Sequence, residues 1–172
     1  VVGTPYGSNS TAAAALAHAG MDVRIPPLSV ADYRREVEKA LDDVIAKHRK
    51  NGLPVLVLDD GGLVTEILHA KAKYAPYRSV FKVVEQTTGG ILLAEKQALE
   101  VPVVNVARSQ SKQMEGIYIG RTVAMKVMQA LRQSGRALKG SRVVVMGYGF
   151  VGVALVSELK KEGARVTVVE TN

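Results

Sequence analysis

Short apolar runs alternate with amphipathic stretches along almost the whole chain. Ser8, Asn9 or Ser10 can cap a helix over Ala12 to Ala19 that stops at Gly20, and MDVRI at 21–25 then reads as a strand. A second helix opens at Ser29, with Asp32 three residues on as a weak form of the capping box, and runs to about His48 before Gly52. The next segments read strand, helix, strand, helix, strand: PVLVLD at 54–59, GLVTEILHAKA at 62–72, VFKVVE at 80–85, GGILLAEKQAL at 89–99 and VPVVNV at 101–106. Strands separated by helix-length segments pair in parallel, which predicts an α/β fold with a doubly wound parallel sheet. Their continuously apolar composition predicts a sheet covered on both faces.

A single long helix is predicted from Met114 to about Ser134, with Gly135 as its stop, followed by the polar connector GRALKGSR at 135–142. Met125 and Met128 read as core filler on that helix. The expected organisation is an α/β region over 1–120, a helix and connector over 121–140, and a further unit over 141–172.

Composition narrows the function classes. The 172 residues are 47% hydrophobic and 23% charged, an ordinary globular balance, and the absence of Cys removes disulfides, thiolate metal sites and cysteine nucleophiles. No apolar run approaches the ~18 residues that span a bilayer. The opening VVGTPYGSNS has neither the cationic nor the apolar region of a signal peptide, so a cytoplasmic, membrane-independent protein is expected. A net charge of +7 raises nucleic acid as a partner. The basic residues of 34–50 are nevertheless interleaved with Glu36, Glu38, Asp42 and Asp43, and aromatics make up only 5%, so a solvated helix face is preferred and nucleic acid is not expected. No metal site is expected.

The most informative local motif is SRVVVMGYGFVGVALVSELKKEGARVTVVETN. Gly147, Gly149 and Gly152 form G-x-G-x-x-G after an apolar strand and before an amphipathic helix, the setting of a dinucleotide-binding βαβ unit. Gly147 serves the tight turn, Gly149 the approach of a pyrophosphate to the backbone, and Gly152 close packing of helix on strand. Phe150 and Val151 open the helix, whose N-terminal N–H groups suit phosphate. Glu170 ends the second strand, where a carboxylate accepts from a ribose diol and repels a 2′-phosphate, pointing to NAD rather than NADP. Only the first βαβ of such a domain lies within these residues.

Four motifs in order carry a family resemblance: LDDGG at 58–62, EQTTGG at 85–90, VPVVNVARSQSKQMEGIYIGR at 101–121 and VVVMGYGFVG at 143–152. Together they resemble the S-adenosyl-L-homocysteine hydrolase (adenosylhomocysteinase) family over nearly the whole chain. The resemblance implies a substrate domain, a hinge helix and the start of a Rossmann NAD domain. It also implies redox-assisted thioether hydrolysis of S-adenosylhomocysteine or a related adenosyl nucleoside, with tightly bound NAD, in one-carbon metabolism. A homo-oligomer is expected. By the same resemblance Lys112 is the family lysine and Asp60 the carboxylate of the DDGG motif. Glu115 takes the place of a family Asp if one residue is deleted between Lys112 and Tyr118, and Thr87 and Thr88 resemble threonines that touch NAD.

The chain also departs from the family. Gln86 stands for a Glu and would bind the substrate's ribose without acting as a base. Ala107 and Gly116 stand for Asn residues, the GYGDVG stretch reads GYGFVG, and the family's STQDD segment is replaced at 7–11. Each motif has a plainer explanation as well. The Asp-Asp-Gly-Gly stretch can be a strand-ending turn with a helix cap, Thr87 and Thr88 can cap the helix near Gly90, and Lys112 can be a surface lysine. Two function classes follow: an adenosylhomocysteinase-type enzyme, and a catalytically altered NAD-binding regulatory or interaction protein of the same family.

Overall fold

The computed structural model describes residues 1–4, 9–25 and 29–171. The chain forms two compact units, Val1–Ala107 and Arg108–Asn172. Both are parallel α/β.

In the first unit, helix α1 spans Ser10–His18 and is capped by Asn9, whose side chain accepts from the Ala12 amide at 3.0 Å. Of the other two candidate caps, Ser10 is the first helical residue and Ser8 lies outside the described residues, as does part of the segment at 7–11. Helix α2, Val30–Asn51, opens on Ser29, whose hydroxyl accepts from the Asp32 amide at 3.2 Å, and ends where Gly52 takes φ 69°. Val37, Leu41 and Ile45, four residues apart on one stripe, are buried. The predicted strand at 21–25 does not form. Arg24 makes one parallel bridge to Val2, and beyond Ile25 the sequence continues with Pro26 and Pro27, which carry no backbone N–H.

Strands β1 (Val55–Asp59), β2 (Phe81–Glu85) and β3 (Val103–Asn105) form a parallel sheet in that order. Helix α3, Leu63–Ala70, and an unpredicted 3-10 helix, Ala72–Val80, connect β1 to β2. Helix α4 runs only from Thr88 to Ala94, shorter than its sequence pattern suggests. Beyond the buried Ala94 the chain tightens into i→i−3 bonds, from Lys96 to Leu93 and from Gln97 to Ala94. Phe81, Val83, Ile67, Leu68, Tyr74 and Val101 close the core over α2. Coverage of both sheet faces is not found at β1: Leu56 and Leu58 are 69% and 79% exposed while Asp59 is buried, so the strand alternates despite its apolar composition.

In the second unit the long helix α5 spans Gln110–Gln133 and begins four residues earlier than its apolar pattern indicates, because Ser109 caps it. Strand β4 (Arg142–Met146), helix α6 (Phe150–Lys161) and strand β5 (Arg165–Val169) follow, with β4 and β5 parallel and in register from Arg142–Arg165 to Met146–Val169. Leu138, within the polar connector, is buried with Ala124, Val145, Val156 and Leu159. Met128 packs against this core, but Met125 is exposed and is not core filler.

Helices α5 and α6 meet across glycine. A Cβ on Gly120 would lie 2.6 Å from Ala154 Cβ and 2.7 Å from the Leu155 amide nitrogen. Gly120→Ala is therefore expected to destabilise this unit by ~1–3 kcal/mol through overpacking, read as a lower urea midpoint with an unchanged m-value.

Candidate functional site

The first unit gathers its acidic chemistry at the C-terminal ends of β1 and β2, the end at which open parallel sheets bind ligands. Asp59 and Glu85 are register partners there, 3% and 1% exposed. Both were missed as site residues, although strand alternation places Asp59 with Val55 and Val57, and Glu85 with Phe81 and Val83, on the inward face. Asp59 accepts from the amides of Asp60 (3.1 Å), Val64 (3.3 Å) and Thr65 (3.1 Å) and from the Thr65 hydroxyl (3.2 Å). It therefore caps α3 from within the strand. Burial pushes its carboxyl above the usual range, against those hydrogen bonds, and Glu85 adds to the rise.

Glu85 ties the two glycine-bearing turns together. Its carboxylate accepts from the amides of Gly61 (3.2 Å), Gly62 (2.8 Å) and Thr87 (2.7 Å) and from the Thr87 hydroxyl (2.7 Å). Gly61 and Gly62 have φ of 96° and 76°, a backbone that disfavours side chains. A Cβ on Gly90 would fall onto the Glu85 carboxylate. The turn at 59–62 and the start of α4 are consequently one hydrogen-bonded assembly.

Asp60, Gln86 and Thr88 stand exposed on that assembly, and the Gln86 amide donates to the Asp59 carbonyl at 3.2 Å. Thr87 is the N-cap of α4, its hydroxyl accepting from the Gly90 amide at 2.9 Å, so the plainer capping role does hold for this residue. Asp60 and Gln86 line one cavity of about 520 Å³ with Thr4, Tyr33 and Val64. Tyr33, from the first turns of α2, escaped the sequence reading because nothing local marks it. Burial raises its phenol above the ordinary tyrosine value, and the Asp59 and Asp60 charges push it the same way.

The second unit presents its own cluster. Gly147 takes φ 94° and donates to the Val169 carbonyl at 2.8 Å, making the turn from β4. A Cβ on Gly152 would strike the Gly147 carbonyl oxygen, so this glycine is required by packing. Gly149 is different: nothing lies within 4 Å of its missing Cβ, and it precedes α6 with no side chain capping the helix. No contact within this unit requires a glycine at this position. Phe150 and Val151 form the first turn of α6. At the end of β5 the Glu170 carboxylate turns back to the loop, accepting from the Tyr148 amide at 2.5 Å and from the Thr171 amide at 2.7 Å. Lys112 and Glu115, one turn apart on α5, form an ion pair at 2.7 Å. Ala107, the last residue of the first unit, and Gly116, on α5, are both buried.

Among the described residues no His, Asp and Glu side chains are grouped to hold a metal ion, and no helix is long and apolar enough to cross a membrane.

Parallel strands joined through helices, with a glycine-rich strand-to-helix turn in the second unit, make this an α/β protein compatible with a Rossmann-like fold. No family model matches the chain. It is 31% identical over 172 residues to an adenosylhomocysteinase of Sulfurisphaera tokodaii (strain DSM 16993 / JCM 10545 / NBRC 100140 / 7), a similarity that covers 98% of this chain and 39% of that protein. The chain is thus similar to an adenosylhomocysteinase along nearly its whole length, and it spans well under half the length of the relative it matches.

Proposed function

We propose that this chain contributes the substrate-side unit and the first half of the cofactor unit of an NAD-dependent adenosylhomocysteinase-type hydrolase acting on S-adenosylhomocysteine or a related adenosyl nucleoside. The observation that carries the reading is Gly149: of the three fingerprint glycines it alone has no use inside its unit, while the helix behind it begins uncapped and Glu170 is held at the loop. These features fit the pyrophosphate and adenosine ribose of NAD. Phe150 and Val151 would offer backbone N–H groups to phosphate, and by the family resemblance Thr87 and Thr88 are threonines that touch NAD.

When bound, NAD supplies a reversible hydride acceptor for the carbon bearing the substrate's 3′-hydroxyl. The Lys112 ammonium would donate a hydrogen bond to the 3′-oxygen and stabilise its alkoxide character, and Glu115 would keep that ammonium in place through their ion pair. Asp60 orients the ribose hydroxyls as an acceptor, and Gln86 adds a neutral hydrogen bond where a charged carboxylate stands in the family. The neutral Gln86 and the apolar, buried Ala107 favour one other reading, a relative that binds NAD and an adenosyl ligand without turnover. In either case the expected protein is cytoplasmic and homo-oligomeric.

Rapid mixing of the NAD-loaded full polypeptide with S-adenosylhomocysteine decides between the two. NADH absorbance rising within turnover supports the enzyme, and saturable binding without it supports the silent relative. Glu170→Ala tests the cofactor choice. One charge-assisted contact is worth ~1.5–3 kcal/mol, so the preference for NAD over NADP should narrow by about tenfold or more in cofactor titrations.

A further inference from the structure

We infer that Tyr33 is a hydroxyl donor of the first unit's ligand cavity, contacting a sugar hydroxyl of the bound nucleoside alongside Asp60 and Gln86. This rests on the adenosyl reading above and adds to it a residue that neither the motifs nor the family resemblance marks.

The cavity of about 520 Å³ is lined by apolar side chains, Val37, Leu41 and Val57 among them, and by the polar side chains of Tyr33, Asp60 and Gln86. Asp60 and Gln86 are exposed and Tyr33 is half buried. The chemistry of this polar lining is lopsided. Asp59 is saturated by the first turn of α3, leaving the Asp60 carboxylate as an acceptor and Gln86 as an amide that can both donate and accept. A ligand hydroxyl placed there can give its proton to Asp60, but its oxygen lone pairs need a donor. The Tyr33 phenol remains protonated beside two carboxylates and supplies that donor at any physiological pH. A vicinal diol, with one hydroxyl giving and one receiving, is the ligand group that satisfies a carboxylate and a phenol together.

The test uses the NAD-loaded full polypeptide and calorimetric titration with adenosine, 2′-deoxyadenosine and 3′-deoxyadenosine. Tyr33→Phe should weaken adenosine binding by about five- to twentyfold, the worth of one neutral-to-polar hydrogen bond at a sheltered site. With one of the deoxynucleosides, the one lacking the contacted hydroxyl, that penalty should vanish. Tyr77→Phe, a tyrosine that lines a separate cavity with Arg49 and Lys73, should leave all three affinities unchanged. An unaltered adenosine affinity in Tyr33→Phe overturns the assignment, as does an equal penalty with both deoxynucleosides, which would mean that the ring only shapes the cavity. Failure of the unaltered protein to bind adenosine would instead remove the adenosyl reading, and this inference with it.

Discussion

Glu85→Ala is expected to destabilise the first unit by about 3 to 5 kcal/mol, more than any other single change in it, because three backbone amides and one hydroxyl lose a shared buried acceptor. Removal of the carboxylate relieves its desolvation, which keeps the loss below the sum of the separate bonds. Glu85→Gln should fall in between, since an amide offers one acceptor oxygen and sets an N–H₂ against the remaining donors. Urea unfolding followed by circular dichroism measures both. The carboxylate lies where a Cβ on Gly90 would stand, so Gly90→Ala should be costly alone and much less costly when combined with Glu85→Ala. Additive losses in that double-mutant cycle would show that Glu85 does not organise the two turns.

Lys112→Ala should reduce NADH formation with an adenosyl substrate by ~10² to 10⁴ in the full polypeptide, the usual effect of losing a positioned proton-transfer group. Cofactor affinity should change by no more than about twofold, since the interaction is one made in the reaction itself. The fold should not be the cause. The Lys112 to Glu115 pair is partly exposed on one helix, where such pairs contribute only ~0.2–0.5 kcal/mol. Gln86→Glu restores the carboxylate of the family and should raise turnover of S-adenosylhomocysteine if the remaining site is intact. Unchanged NADH formation in Lys112→Ala would take Lys112 out of the reaction and, with it, the residue-by-residue transfer from the family motifs.

Much of the fold could be read without coordinates, for reasons that are local. Caps at Asn9 and Ser29 act over three residues, and Gly52 stops α2 through its own φ, whereas the Ser109 cap that opens α5 was not read. The parallel strands follow from their spacing, since helix-length connections leave little alternative. The glycine fingerprint was legible because its spacing is local, and Gly147 and Gly152 answer backbone demands within one βαβ unit. The tertiary structure changed other expectations. Residues 21–25 do not make a strand, because a strand needs a partner along its length and Arg24 finds only Val2. Met125 has the right residue type for a core and the wrong face of the helix.

The site divides along the same line. Sequence by itself singled out the motif residues as candidates, Asp60, Gln86, Lys112 and the loop at 147–152, since motif order and residue chemistry survive without knowledge of contacts. It did not reveal that the neighbouring acids, Asp59 and Glu85, are the buried ones, because their donors come from residues up to 24 positions away and assemble only when β1 and β2 pair in register. Nor did it reveal Tyr33, brought to the Asp60 cavity by the packing of α2, or the need for Gly120, set by the approach of α6. Periodicity, caps and turn glycines are interactions between near neighbours in the chain. Burial, register and cavity walls are properties of distant residues that the folded state alone puts side by side.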